Sequence, residues 1–183
     1  MSKKIKKFAL IGTSSVGKTT LLKRLEKELQ KRSKKKTIFV EEAARYYFEK
    51  NKVKNPFSFN NQKNIQALAK RFEQNAERKN PSIIICDRSV LDAVAYVRTV
   101  GKDKEWKNLL ERVKDWVETY DHFFLLDPNG VSYETDKIRK EEKTLRDKFH
   151  ESFIKVLNEI KVPYTLISGD KRERVNRMLD IIL

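Results

Sequence analysis

Five short, almost continuous apolar runs recur along the chain, separated by longer segments of helical periodicity. The apolar runs are Ile5–Ile11, Thr37–Glu41, Ile83–Asp87, His122–Asp127 and Tyr164–Ser168. Strands of a parallel sheet have this pattern because helices bury both of their faces. The intervening segments predict helices over Lys18–Arg32, Glu42–Glu49, Asn60–Arg78, Ser89–Val100, Lys104–Glu118, Lys137–Ile160 and Arg172–Ile182, the last with Asp170 as its N-cap. The alternation predicts an α/β fold, a five-stranded parallel sheet flanked by helices.

Composition narrows the class of protein without identifying it. The chain has 183 residues, and we find no repeat, linker or boundary, so we expect one domain spanning residues 1–183. No apolar run reaches membrane-spanning length and none resembles an export signal, which favours a cytoplasmic protein that does not bind membranes. Cys86 is the only cysteine, and His122 and His150 stand alone, so a structural zinc site is not expected.

The strongest motif is a phosphate-binding loop directly after the first predicted strand. Residues 12–19 read Gly-Thr-Ser-Ser-Val-Gly-Lys-Thr, which matches G-x-x-x-x-G-K-[ST] at every fixed position. The glycines let backbone N–H groups turn toward phosphate oxygens, and the helix that follows adds its positive N-terminal dipole. Lys18 would contact the β- and γ-phosphates of ATP, and the Thr19 hydroxyl would bind Mg²⁺. The expected ATP-binding residues are Gly12, Ser14, Ser15, Val16, Gly17, Lys18, Thr19 and Thr20.

Carboxylates follow the second and third predicted strands, at the edge of the sheet where the loop also lies. Asp87 is the candidate for the Mg²⁺ site, and Arg88 would hold a substrate phosphate or fix the site. Glu42, which we prefer to Glu41, is the candidate base for an acceptor hydroxyl, with Arg45 as a substrate clamp. Helix capping and dipole stabilisation are the structural alternatives for these carboxylates.

A basic segment near residues 128–146 is the candidate lid. Arg139 and Arg146 would swing over the γ-phosphate and neutralise the transferring group, whereas Lys140 and Lys143 fit a solvated helix face. Asp127-Pro128-Asn129-Gly130 fits D-x-x-G, but it follows the fourth strand and no N-K-x-D motif accompanies it. A regulatory GTPase is therefore not expected.

These motifs resemble the P-loop nucleoside and nucleotide kinase family, in particular the ribosylnicotinamide kinase domain of bifunctional NAD-biosynthesis regulators. The resemblance rests on the following segments: Gly12–Thr19, Glu42–Tyr46 leading to Phe48-Glu49-Lys50, Asp87-Arg88, Asp136-x-x-Arg139 and Lys161–Tyr164. It implies ATP- and Mg²⁺-dependent phosphorylation of a nucleoside-like hydroxyl, with Glu42 on the acceptor side, Asp87 on the Mg²⁺ side and Arg139 in the lid. The Asp-Arg-Ser-x-x-Asp stretch ending at Asp92 is closer to the generic kinase relatives, so the acceptor stays open.

The acceptor would lie across the strand ends from the loop. Asp92 and Tyr96, four residues apart on one helix face, could bind sugar hydroxyls. Aromatic residues that could stack on a base, or simply pack in the core, are Tyr46, Tyr47, Phe57 and Phe59. A small-molecule kinase is the leading hypothesis. One alternative is a polynucleotide 5′-kinase, whose basic channel would consist of Arg45, Lys50, Lys52 and Lys54. The other is a non-kinase ATPase or partner-binding module.

The net charge of +15 is concentrated at the start of the chain. Residues 1–36 contain thirteen Lys or Arg and two Asp or Glu. The topology places Lys3–Lys7 and Lys31–Lys36 opposite the catalytic edge, so a nucleic acid in the active site would not meet them. A solvated face is the leading interpretation; a docking surface or a separate polyanion site are the alternatives.

Overall fold

All five predicted strands form, and they lie in one parallel sheet. The computed structural model describes residues 4–14, 16–129 and 143–183, with side chains described from residue 145 onward in the last range. The strands are β1 (Lys6–Ile11), β2 (Thr37–Val40), β3 (Ile83–Asp87), β4 (His122–Leu126) and β5 (Tyr164–Ile167). Their order is β2-β3-β1-β4-β5, and every neighbouring pair is parallel. The bounds of β3 are as predicted, and those of the other four strands differ from the prediction by one residue at one end.

Helices cover both faces of this sheet. In the described ranges they are α1 (Lys18–Arg32), α2 (Ala43–Lys50), α3 (Phe59–Glu77), α4 (Val90–Val100), α5 (Asp103–Glu111), α6 (Lys114–Val117), α7 (Lys143–Ile160) and α8 (Lys171–Ile182). Asp170 caps α8, because its side chain accepts hydrogen bonds from the N–H groups of Arg172 and Glu173 at 2.7 and 2.9 Å. No helix in the described ranges has the length and apolar character needed to cross a membrane.

The prediction of one helix over Lys104–Glu118 is wrong. The chain turns at Arg112 and Val113, so that α5 and α6 are separate helices. Val113 leaves the helical region with φ −122° and ψ 5°, while its side chain stays buried. Core packing decides this break, since no glycine or proline marks it in the sequence.

Alternate residues of β1 face two separate cores. Phe8 and Leu10 pack in the core beneath α1 and α8, whereas Ala9 and Ile11 pack in the core that contains α4 and α7. This alternation follows from the two-residue period of a strand. Because β1 lies in the middle of the sheet, with β3 on one side and β4 on the other, the loop after β1 occupies the switch point where ligands bind in such sheets.

Candidate active site

The phosphate-binding loop begins where β1 ends, and its two glycines are needed by the backbone. Gly12 has φ +138°, and a Cβ there would lie 3.3 Å from the carbonyl oxygen of Leu126 in β4. Gly17, the residue before α1, has φ +80°. Positive φ at both positions lets the chain curl around a concave space, as the motif predicts. Ser15, one of the expected ATP-binding residues, lies outside the described residues.

Lys18 is turned into this loop. Its Nζ donates hydrogen bonds to the carbonyl oxygens of Gly12, at 3.1 Å, and Thr13. Burial, together with the positive charge of Arg88, lowers the pKa of Lys18 to about 7. Asp87 and Glu42 oppose this shift in the pKa, and the negative charge of a phosphate group would oppose it further. Thr19 and Thr20 are exposed in the first turn of α1, directly after the loop.

Several buried residues of the loop bear on whether it can hold a phosphate group. Ser14 and Val16 are both buried within the curled segment, at 6% and 1% exposure. The Thr13 hydroxyl is buried and has no hydrogen-bond partner in the described part of the chain. A buried polar group of this kind is costly unless a ligand or water satisfies it. The loop therefore fits a phosphate ligand.

Arg88 links the loop to the neighbouring strands. It follows β3 with φ +72°, and its side chain is only 8% exposed. Its Nε donates to Glu42 Oε1 at 2.6 Å, and its Nη1 lies 2.9 Å from the carbonyl oxygen of Gly12. The same Nη1 lies 2.9 Å from Asp92 Oδ1 and from the Tyr96 hydroxyl. Of the two roles considered for this arginine, these contacts favour fixing the site.

Asp92 and Tyr96 lie on the inner face of α4, as their spacing predicts. Asp92 Oδ2 accepts hydrogen bonds from the N–H group of Ser89 at 2.8 Å and from its hydroxyl at 3.1 Å, which caps α4. Burial raises the pKa of Asp92, and Arg88 opposes the rise. Tyr96 is 3% exposed, and its ring packs against Phe149 with a centroid distance of 4.7 Å.

Asp87 fits the Mg²⁺ role on its own geometry. Its Oδ1 is buried and has no hydrogen-bond partner among the described residues. Burial and the nearby charge of Glu42 raise the pKa of Asp87 to about 6, although Lys18 opposes the shift. A divalent cation would satisfy the buried oxygen and favour the ionised carboxylate. Asp87 and Thr19 are the loop-edge residues whose side-chain oxygens have the hard character that Mg²⁺ prefers.

Glu42 and Glu41 occupy different positions. Glu42 is the N-cap residue of α2, its side chain is 10% exposed, and its charge acts on both Lys18 and Asp87. Glu41 is exposed and lines the pocket described next. Arg45 is half exposed and lies 3.9 Å from Glu42, so it is available to a ligand at the same edge. Glu42 is thus joined through Arg88 to the carbonyl oxygen of Gly12, which also accepts a hydrogen bond from Lys18.

A narrow pocket opens beside these groups, and we call it the edge pocket. It is lined by the following residues: Val40, Glu41, Ala43, Ala44, Phe48, Phe57, Gln62, Ile65, Gln66, Ala69, Glu73, Asp87, Arg88, Ser89, Asp92, Ala93 and Tyr96. Its cavity volume is ≈ 20 Å³, which is room for about one or two water molecules. An apolar wall with a few polar groups is typical of a ligand site, but a nucleoside requires side chains to move outward.

Three polar residues of α3 in the edge pocket were missed from the sequence. Gln62, Gln66 and Glu73 are each at most 3% exposed. Gln66 Nε2 donates to the carbonyl oxygens of Val90 and Leu109, at 3.0 and 3.1 Å. The sequence pattern that could have found them is their helical spacing, which places these polar residues on the same face of α3 as its buried apolar positions.

The aromatic candidates separate into two places. Phe57 lines the edge pocket and packs on Tyr96, with ring centroids 5.1 Å apart. Tyr46 and Tyr47 instead line a shallow outer groove between α2 and α3. Phe59 is half-buried against the core, as the structural alternative predicts.

The candidate lid is described only at its end. Arg139 lies outside the described residues, as does most of the 128–146 segment. Arg146, in α7, is 5% exposed and donates to the carbonyl oxygen of Pro128. In this structure Arg146 therefore joins α7 to the end of β4.

Comparison with known proteins agrees with this geometry. A protein family described as an AAA domain, AAA_28, matches residues 7–174. The chain belongs to this family. It is a P-loop nucleotide-binding domain with an α/β fold. No curated protein matches the chain.

Solved structures of NadR protein share the fold. A crystal structure of NadR in complex with NAD and AMP-PNP is 18% identical, with a TM-score of 0.72, and the match covers 97% of this chain and 48% of that one. A crystal structure of NadR in complex with NR is 16% identical, with a TM-score of 0.75 and coverage of 97% and 50%. The chain thus spans about half the length of these NadR chains, and the resemblance to their kinase domain is confirmed at the level of fold.

Proposed function

We propose that this protein transfers the γ-phosphate of ATP, with Mg²⁺, to a hydroxyl of a small nucleoside- or nucleotide-like acceptor. The observation that carries the proposal is that Arg88 hydrogen-bonds both Glu42 and the carbonyl oxygen of Gly12, which also accepts from Lys18. Asp87, the residue before Arg88, lines the edge pocket. A phosphate-binding lysine, a carboxylate for the metal and a carboxylate for the acceptor are the parts that phosphoryl transfer needs. A plain nucleotide-binding module has no need of the third.

Each group has a role that follows from its position. Lys18 would leave the carbonyl oxygens of Gly12 and Thr13 to neutralise the β- and γ-phosphates, which the N–H groups of the loop would contact. Thr19 and Asp87 would hold Mg²⁺, which supplies charge neutralisation at the phosphates when bound. Glu42 accepts the proton of the attacking hydroxyl, and its hydrogen bond from Arg88 holds it in place. Arg139 from the candidate lid would stabilise the transferring phosphoryl group.

The acceptor would enter the edge pocket. Its apolar wall suits a flat ring, and Asp92, Tyr96 and Arg45 offer polar contacts at the mouth and along α4. The cavity of ≈ 20 Å³ must widen by roughly an order of magnitude to admit a nucleoside. Phe57 lies in the loop before α3 and lines the pocket, so displacement of its ring would widen the cavity. NR in one NadR structure supports a ribosylated base as the first acceptor to test.

The test is transfer of labelled γ-phosphate from Mg²⁺-ATP to a panel of nicotinamide riboside, the common nucleosides and monophosphates, and a 5′-hydroxyl oligonucleotide. Label on one small molecule, lost in Lys18→Ala, is the expected result. Label on the oligonucleotide would instead support a polynucleotide kinase, and label only as free phosphate would support an ATPase.

A matched pair of variants tests the assignment of the base. Glu42→Gln should slow transfer by about 10²–10⁴-fold with little change in ATP affinity. Glu41→Gln, one residue away, should leave the rate within a few-fold of the original. The reverse pattern would move the role to Glu41.

A further inference from the structure

A cationic surface lies on the edge of the sheet opposite the phosphate-binding loop, where β1, β2 and β3 begin. We define it as Lys6, Lys34, Lys35, Lys36 and Lys79, all of which are exposed. Lys6 is the first residue of β1, and Lys34–Lys36 directly precede β2. Strands of four to six residues separate this surface from the loop by roughly 13–20 Å. It is therefore spatially distinct from the candidate active site.

Hydrogen bonds fasten the three segments that carry these lysines. Lys36 Nζ donates to the carbonyl oxygen of Lys79, which joins the α1–β2 loop to the α3–β3 loop. The N–H group of Ser82 donates to the carbonyl oxygen of Lys36 at 2.8 Å, and the N–H group of Lys6 donates to the carbonyl oxygen of Ser82 at 3.0 Å. The backbone segments that carry the ammonium groups are thus connected, so the backbone itself needs little ordering when a ligand binds.

Helix stabilisation explains the basic residues at the end of α1 but not those of the cationic surface. Lys31 and Arg32 end α1, where cations complement the helix dipole, and both form ion pairs with Glu28. Lys34 and Lys35 lie outside any helix. In the ranges that the structure describes, neither they nor Lys6 and Lys79 form an ion pair. Fold stability gives no reason to keep these positive charges close together.

We propose that the cationic surface binds the phosphodiester backbone of a nucleic acid, without base specificity. Exposed lysines on connected segments match a chain of phosphates, whose counterions they would release. None of the exposed large hydrophobic side chains described, Tyr46, Val100, Leu166 and Leu183, lies in these segments. The surface therefore offers no apolar anchor of the kind that a protein interface or membrane insertion uses. A nucleic acid bound here is a partner and not the phosphate acceptor.

The experiment is fluorescence anisotropy of the full chain with a labelled 20-nucleotide single-stranded RNA and a 20-base-pair DNA duplex, between 50 and 200 mM salt. The test variant is Lys34→Glu with Lys35→Glu. The control variant is Lys52→Glu with Lys54→Glu, which reverses the same number of exposed charges in the loop beside the edge pocket. Thermal unfolding of both variants checks that they fold.

The Lys34 and Lys35 variant should bind about tenfold more weakly at 100 mM salt, and its plot of log affinity against log salt should lose about one unit of slope per contact removed. The control should bind nearly as the original chain does, and phosphotransfer should be unchanged in the Lys34 and Lys35 variant. Equal losses in both variants, or a loss in the control alone, would overturn the proposal. So would binding to vesicles of 30% anionic lipid with none to either nucleic acid.

Discussion

Replacement of Arg88 by methionine should lower the free energy of unfolding by about 3–5 kcal/mol, because it leaves buried carboxylates without their partner. Glu42 and Asp92 lie 2.6 and 2.9 Å from the guanidinium, and their side chains are 10% and 6% exposed. At this burial, solvent compensates little for the lost ion pairs. For a domain of this size, the change corresponds to a fall in Tm of about 6–20 °C.

Urea denaturation monitored by circular dichroism measures this loss, provided that the m-value is unchanged. Arg98→Met is the matched control, since Arg98 also pairs with a carboxylate, at 2.5 Å, but its partner Glu159 is 49% exposed. Its removal should cost only about 1 kcal/mol. A loss for Arg88→Met no greater than that of the control would refute the reasoning.

The pH dependence of the Arg88→Met penalty supplies a second check. Burial already raises the pKa of Asp92, and removal of the arginine takes away the largest influence that opposes this rise. A carboxyl group with a raised pKa in the folded state destabilises the protein above its unfolded pKa, and the penalty disappears below it. The difference between variant and original should therefore be greatest near pH 7 and shrink toward pH 4. A penalty that is independent of pH would point to lost packing instead.

Three other perturbations follow from single contacts. Burial lowers the pKa of Lys18 to about 7 and a bound triphosphate would raise it, so ATP affinity should fall by up to about tenfold per pH unit between pH 7 and 9. Calorimetry at pH 8 in two buffers of different ionisation enthalpy would contradict this if it showed no proton uptake on ATP binding. Tyr120→Phe removes a 2.5 Å hydrogen bond to buried Glu73 and should lower the free energy of unfolding, measured in urea, by about 1–3 kcal/mol. Tyr164→Phe removes an exposed hydrogen bond to Asn158 and should leave the free energy of unfolding almost unchanged. Gly12→Ala places a Cβ 3.3 Å from a β4 carbonyl oxygen, so ATP binding measured by calorimetry should be lost, and unchanged affinity would show that the loop adapts.

The buried charges show where sequence patterns were insufficient. Lys7 belongs to a basic run, yet it is 1% exposed, and its Nζ lies 2.5 Å from Glu77 and 3.4 Å from Glu73. Trp116 Nε1 donates to Glu73 at 2.8 Å, and its ring lies 4.2 Å from Lys7 Nζ. These partners are far apart along the chain. Only the packing of α3 against the start of β1 could show that this lysine is internal while Lys6 is exposed.

Local order was predictable because each signal is complete within a short segment. Continuous apolar runs indicated the strands. The motif at residues 12–19 predicted the positive φ of Gly12 and Gly17, since the backbone freedom of a glycine is a local property. Asp170 as an N-cap needed only its two following residues. Parallel pairing then placed Asp87 at the same edge of the sheet as the loop.

What the tertiary structure decided is how the side chains at that edge pair with one another. The sequence by itself determined the fold class, the phosphate-binding loop and the candidate carboxylates, since these depend on periodicity and on contiguous residues. It did not show that Arg88 joins Gly12, Glu42 and Asp92, nor that α3 closes the edge pocket with polar side chains. Those contacts depend on distances between elements far apart in sequence, which only the packed sheet and helices set.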